Sequence, residues 1–150
     1  MKLKIPYDKQ ENDYDCGPTS LQMAFDYFKL HISQHKLEKE GETNPKTGTN
    51  HENMIHVAKE NGFHTYVNTN SNLSEIKEFL RQKKPIIVDY IEPSENEGHY
   101  SIVSGLSKEY ITLNDPWNGK DFKIKIDNFL KRWRNKNSHR WILVILGSVI

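Results

Sequence analysis

Cys16 is the only cysteine in a chain of 150 residues, and Gly17 and Pro18 follow it at once. A lone cysteine in a globular protein is usually a small buried hydrophobe. The neighbours of this one point instead to nucleophilic chemistry. From Leu21 the apolar side chains Leu21, Ala24, Phe25 and Phe28 recur at the i, i+3, i+4, i+7 spacing of a helix face packed on a core. Proline is favoured at the first helical position, where its missing N–H leaves no bond unmade. Pro18 therefore sets the helix start within a residue or two of Cys16. The sulfur then lies at the positive end of a helix dipole, where a thiolate is stabilised. Gly17 beside it is expected to let a substrate backbone come close.

A nucleophilic cysteine needs a base within hydrogen-bond reach and a third group to orient that base. Of seven histidines, His99 stands out because it opens a strand pattern directly after Gly98 and a polar loop. Asp115 lies sixteen residues on, ahead of Pro116. A hairpin centred near Ser107 puts His99 opposite Asp115, and directly opposed residues have Cβ atoms about 4.5–5.5 Å apart on one face. A carboxylate there fixes the imidazole tautomer and leaves the second ring nitrogen for the thiol. Taken singly, an Asp before Pro is a common turn former and a His at a strand end a common surface residue. Their registered pairing, beside a cysteine at a helix start, carries the catalytic reading. Acyl transfer also needs donors for a developing oxyanion. Gln10, six residues before Cys16, is the side-chain candidate, with the Cys16 backbone N–H as the second donor.

Other clusters carry less. His31 and His35 are split by an expected helix break. His51, Glu52 and His56 are one residue too long for HExxH. Both sets read as solvated, without a metal. Lys131, Arg132 and Arg134 around Trp133 read as a solvated helix face with one aromatic anchor.

These residues are held by a succession of short elements. Residues 2–7 read as an edge strand, since Pro6 is costly in a central one. Ser33 caps a short helix to Glu40, with Gly41 as its stop, and residues 42–50 are loop chemistry. Thr49 and Glu52 have the spacing of a capping box for a helix ending near Gly62, with Met54, Val57 and Ala58 inward. A strand over 63–67 follows, then a helix started by Asn72 and Glu75 that turns Leu73, Ile76, Phe79 and Leu80 to the core. Ile86, Ile87 and Val88 read as a strand buried on both faces, and residues 92–98 as an exposed acidic loop. Strands over 99–106, 110–114 and 121–126 come next, with Asn118-Gly119 as a tight turn. Asp127 caps a short helix carrying Phe129, Leu130 and Trp133, and residues 140–146 close the pattern as a strand. Helices first and an antiparallel sheet afterwards is the α+β arrangement, here as one domain over 1–150.

With 35% hydrophobic and 27% charged residues the chain is of globular type. A net charge of +1 gives no bulk electrostatic case for nucleic acid or an acidic membrane. One cysteine excludes an internal disulfide framework and a cysteine-built zinc site. No apolar run approaches the roughly 18 residues of a spanning helix. The start, MKLKIPYDKQ, lacks the apolar core of a secretory signal. A cytoplasmic protein is expected, or an extracellular one whose signal segment preceded residue 1.

Gln10, DCGPTSLQM at 15–23, GHYSIVSG at 98–105 and NDPWNG at 114–119 together resemble the bacteriocin-processing peptidases. These are papain-like cysteine peptidases that cut leader peptides after a Gly-Gly pair, commonly as the first domain of a peptide-exporting ABC transporter. The lesser blocks LKIPYDKQ, GTNHENMIHVAKENGF and KKPIIVDY fit as well, so the resemblance runs from about residue 3 to 146. It implies a papain-like fold with the Cys helix packed on a C-terminal antiparallel sheet. It also implies Cys16 as nucleophile, His99 as general base, Asp115 as its orienter and Gln10 in the oxyanion hole. No cofactor is implied. The partners would be a peptide or protein substrate and, transiently, a membrane or transporter complex. Without transporter domains in this sequence, the likeness is closer to free-standing members of that family. Two other readings of the same residues stay open: transfer of the acyl group to an amine or thiol, and a peptide-binding or regulatory module without turnover.

Overall fold

The computed structural model describes residues 1–136 and 138–148. Helices α1 (Cys16–Tyr27), α2 (Gln34–Glu40) and α3 (His51–Glu60) come first. β1 (Phe63–Asn68), α4 (Leu73–Arg81) and β2 (Ile86–Ile91) follow. The remainder is β3 (Gly98–Leu106), β4 (Tyr110–Asp115), β5 (Gly119–Lys125), α5 (Ile126–Arg132) and β6 (Ile142–Ser148). The strands form one six-stranded sheet in the order β1-β6-β2-β3-β4-β5, every neighbouring pair antiparallel. The α+β class read from the sequence is the observed one. Among the described residues no helix is long and apolar enough to cross a membrane.

Local chemistry accounts for most element starts. Ser33 accepts from Lys36 N at 3.2 Å and Asn72 from Glu75 N at 2.9 Å, as expected of N-caps. Helix α3 departs from expectation. Asn50 is its cap, accepting from Asn53 N at 2.7 Å, because Thr49 is buried and its hydroxyl is engaged 2.6 Å from that of Thr43. Asp127 lies inside the first turn of α5 rather than capping it. Residues 2–7 do not form a strand. They make a single bridge, Lys2 to Gly105, on the stretch of β3 beyond the point where its pairing with β2 ends at Val103.

Strand β2 is buried from Ile86 to Tyr90 and β3 from His99 to Gly105, so both faces of the sheet centre are covered. Helix α1 packs on β3, α2 and α3. Its Phe25 ring stacks on Phe63 of β1 with centroids 4.6 Å apart. Gly17 serves this packing rather than substrate approach: a Cβ there would lie 2.9 Å from both Met54 Sδ and Thr49 Oγ1. The missing side chain makes room for α3, which fixes the first turn of α1, and with it Cys16, against the helix layer.

The β3–β4 hairpin turns at Lys108 and Glu109, with Ser107 N donating to Tyr110 O at 2.8 Å. A bulge between Val103 and Gly105 then shifts the ladder, so that Ile102 lies opposite Asn114. One further step places Ser101, not His99, opposite Asp115. The expected register was therefore two residues out. A slip of two keeps every side chain on its own face, whereas a slip of one would reverse them. His99 and Asp115 become diagonal neighbours on one face, still within reach of each other.

Candidate active site

Cys16 is the first residue of α1 and is partly exposed. Its N–H belongs to the helix's unpaired first turn. The sulfur accepts from Tyr100 N at 3.4 Å, which ties the helix start to β3. Next along β3, His99 places Nε2 2.9 Å from Asp115 Oδ1, which leaves its other nitrogen, Nδ1, for the neighbouring Cys16 sulfur. Burial alone drives the His99 ring down. The Cys16 sulfur and the Asp115 carboxylate outweigh it and raise the imidazole to about 10.

Asp115 is fully buried, and the structure supplies donors to match. Oδ1 accepts from His99, from Trp117 N at 3.0 Å, from Asn118 N at 2.9 Å and from Asn118 Nδ2 at 3.2 Å. Oδ2 accepts from the Tyr90 hydroxyl at 2.5 Å. Burial works against the charge, yet the His99 imidazole and these donors hold the carboxyl below its usual range. The Pro116 break does more than end β4: it turns the chain so that the next two N–H groups point back at the carboxylate.

Tyr90 is buried and lies opposite His99 in the β2–β3 ladder. Sequence reasoning did not single it out, because a tyrosine in the run IIVDY reads as one more core strand residue. Its alternation with Asp89 was the available signal, since neighbours on a strand face opposite sides. Replacing Tyr90 by phenylalanine deletes one donor at nearly constant volume. We expect a loss of about 1.5–3 kcal/mol of folding stability, the range for a hydrogen bond to a charged group, read by urea unfolding. An unchanged midpoint would mean that the carboxylate finds another donor.

Gln10 is buried beside this assembly. Its Nε2 donates to Asn12 O at 2.6 Å, its Oε1 has no partner among the described residues, and its own N–H bonds Pro116 O at 3.1 Å. One N–H of the amide remains uncommitted. Asp15, just ahead of the cysteine, is fully buried too. Burial and the neighbouring Glu38 carboxylate push its carboxyl up to about 7. The acid flanking the sulfur therefore carries less negative charge at neutral pH than an ordinary aspartate. Glu92 is not in an exposed loop, as the sequence suggested, but buried. It accepts from the N–H groups of Ser94 and Glu95 at 2.7 Å each and from Asn118 Nδ2 at 3.1 Å, bracing the residue that supports Asp115.

Cys16, His99 and Tyr100 open onto a cleft of about 650 Å³, walled on its other side by residues 45–52. Half-buried His51 belongs to that wall and bonds Asp89 at 2.7 Å, so it is not the solvated residue expected. His31 pairs with Asp26 at 2.6 Å on the surface. Trp133 is the buried anchor of the basic run, its Nε1 donating to Trp141 O at 3.2 Å.

A model of the Peptidase_C39 like family matches residues 2–139. Among curated proteins, a lacticin-481/lactococcin-DR transport/processing ATP-binding protein of Lactococcus lactis is 27% identical over 126 residues. The match takes in 83% of this chain but only 17% of that protein's length. Among solved structures, the peptidase domain of Streptococcus ComA, a bi-functional ABC transporter, superposes with a TM-score of 0.79 at 21% identity, covering 95% of this chain and 98% of that one. A double glycine motif protease from an AMS/PCAT transporter, solved with its leader peptide, gives 0.76 at 22% identity over 96% and 91%. A putative C39-like peptidase from Bacillus anthracis gives 0.75 at 15% over 97% of each chain.

Proposed function

Since this chain belongs to the Peptidase_C39 like family and is of cysteine-peptidase type, we propose that it cuts peptides through Cys16, His99 and Asp115, with Gln10 as an oxyanion donor. One observation carries the reading: a cysteine at a helix start and an imidazole held by a buried carboxylate meet at the wall of an open cleft. The Cys16 thiolate attacks the scissile carbonyl, and the oxygen that gains charge is met by the Cys16 N–H and the free Gln10 N–H. His99 gives its proton to the departing amine, leaving an acyl group on the sulfur. A water then loses a proton to the same imidazole as it attacks the acyl carbon, and the thiolate departs. Asp115 keeps the ring turned for both steps.

The proposed substrate is a leader peptide cut after two small residues such as Gly-Gly, presented by a peptide-exporting complex. The two transporter relatives with processing or double-glycine chemistry support that choice. The test is cleavage of a diverse peptide library, read by mass spectrometry, with Cys16→Ala protein as control. Cuts after paired small residues, absent with the control, are expected. Cuts only after bulky or charged residues would overturn the substrate class, and cleavage that persists in the control would overturn the nucleophile.

A further inference from the structure

The cleft contains a second histidine–carboxylate pair that this mechanism leaves unused. His51, the first residue of α3, donates from Nε2 to Asp89 Oδ2 at 2.7 Å, and Asn135 Nδ2 donates to the same oxygen. The His51 ring is stacked on Trp141 with centroids 4.0 Å apart and stands edge-on to Tyr100 at 5.9 Å. Tyr100 is the residue whose N–H holds the nucleophilic sulfur. The second pair is thus immobilised from both sides and sits one ring away from the reacting centre.

Asp89 is 5% exposed, and its two side-chain donors, His51 and Asn135, both reach Oδ2. Among the described residues Oδ1 accepts no hydrogen bond, and it lies beside Gly98, which has no side chain to cover it. Asp89 and Gly98 both form cleft wall. With both donors on Oδ2, Oδ1 stays open to the cleft and can accept from a cationic group that a ligand brings. Away from the Cys16–His99 pair, Asp13, Glu52 and Glu97 are the acidic side chains that line the cleft, against Lys46. Low-dielectric walls concentrate such a field inside the cleft.

We propose that the wall formed by Asp89, His51, Glu52 and Glu97 is a subsite for a cationic side chain of the peptide, lysine or arginine. Its ammonium or guanidinium group donates to Asp89 Oδ1, while His51 and Asn135 hold that carboxylate in place. The inference rests on the peptidase reading for the identity of the ligand as a peptide. If Asp89 served only to tie α3 to β2, the cleft would not distinguish charged from neutral side chains of equal length.

The experiment is fluorescence anisotropy with Cys16→Ala protein, so that binding is read without turnover. The probes are labelled Gly/Ala/Ser decapeptides through which one lysine is walked, with norleucine and glutamate at the same positions. Lysine at one position is expected to bind about tenfold more tightly than norleucine there, with glutamate weakest, and the gap should narrow as salt rises. Adding Asp89→Asn should bring lysine to within about twofold of norleucine at that position. Should that variant fail to fold, Glu52→Gln/Glu97→Gln, at two exposed positions, takes its place and should lose at least half of the preference. Lysine within twofold of norleucine at every position would overturn the proposal, as would a preference that survives Asp89→Asn in folded protein. Failure of the wild type to cut any peptide sinks the peptidase reading, whereas a flat lysine walk sinks only the subsite.

Discussion

Replacing His99 by alanine is expected to slow turnover by at least about 10³-fold, because one ring serves as acid and base in turn. Alkylation of Cys16 by iodoacetamide near neutral pH should fall with it, by about tenfold or more, since the sulfur loses the neighbouring base that takes its proton. The variant should still fold. Asp115 keeps its bonds from Tyr90, Trp117 and Asn118 when the imidazole is gone. The pH dependence makes the test sharper. The ring sits at about 10 in the folded protein against an ordinary 6.5, so its contribution to stability is complete below about pH 6.5 and disappears as pH climbs towards 10. The gap in unfolding midpoint between wild type and His99→Ala should therefore be widest near pH 6 and close at alkaline pH. Equal alkylation in the two proteins, or a gap that widens with pH, would mean that the folded protein holds a neutral ring, and the ion pair would leave the mechanism.

Reading the sequence worked best where a side chain acts on its own backbone. Ser33 and Asn72 cap the helices expected of them, and Pro18 marks the start of α1 to within the stated margin. The meeting of His99 and Asp115 was legible for a less secure reason. The hairpin centre was misplaced and a bulge went unseen, but the combined error was even, and strand parity preserved the face. What stayed hidden depends on contacts between distant segments. Nothing local marks Tyr90 as the partner of Asp115, or Asp89 as the partner of His51, since both need β2 placed beside β3 and α3. Glu92 was misread because its burial comes from N–H groups of its own loop curling over it, and composition alone cannot show such a turn. Gly17 was assigned to the wrong neighbour, as a glycine's role is decided by whatever fills the space it leaves.

Asp115→Ala and Asp115→Asn should behave very differently. Alanine strips His99, Tyr90 and the N–H groups of Trp117 and Asn118 of a shared acceptor inside a buried site. Breaking such a pair from one side typically costs about 3–5 kcal/mol, and the untethered ring should lower turnover at least about 10²-fold. Asparagine keeps the shape and loses the charge. Its amide has two possible orientations, and the site selects between them. Trp117 N and Asn118 N both point at the Oδ1 position, so an NH₂ group there would face two donors. The carbonyl oxygen must therefore take that place and still accept from His99, while the NH₂ turns to Tyr90, whose hydroxyl can switch from donor to acceptor. The imidazole then keeps its tautomer and orientation. Turnover by Asp115→Asn is expected to stay within about tenfold of wild type, with stability reduced by no more than about 1–2 kcal/mol. If the two variants proved equally inactive in folded protein, the ring would need the negative charge rather than the aim that the hydrogen bond provides.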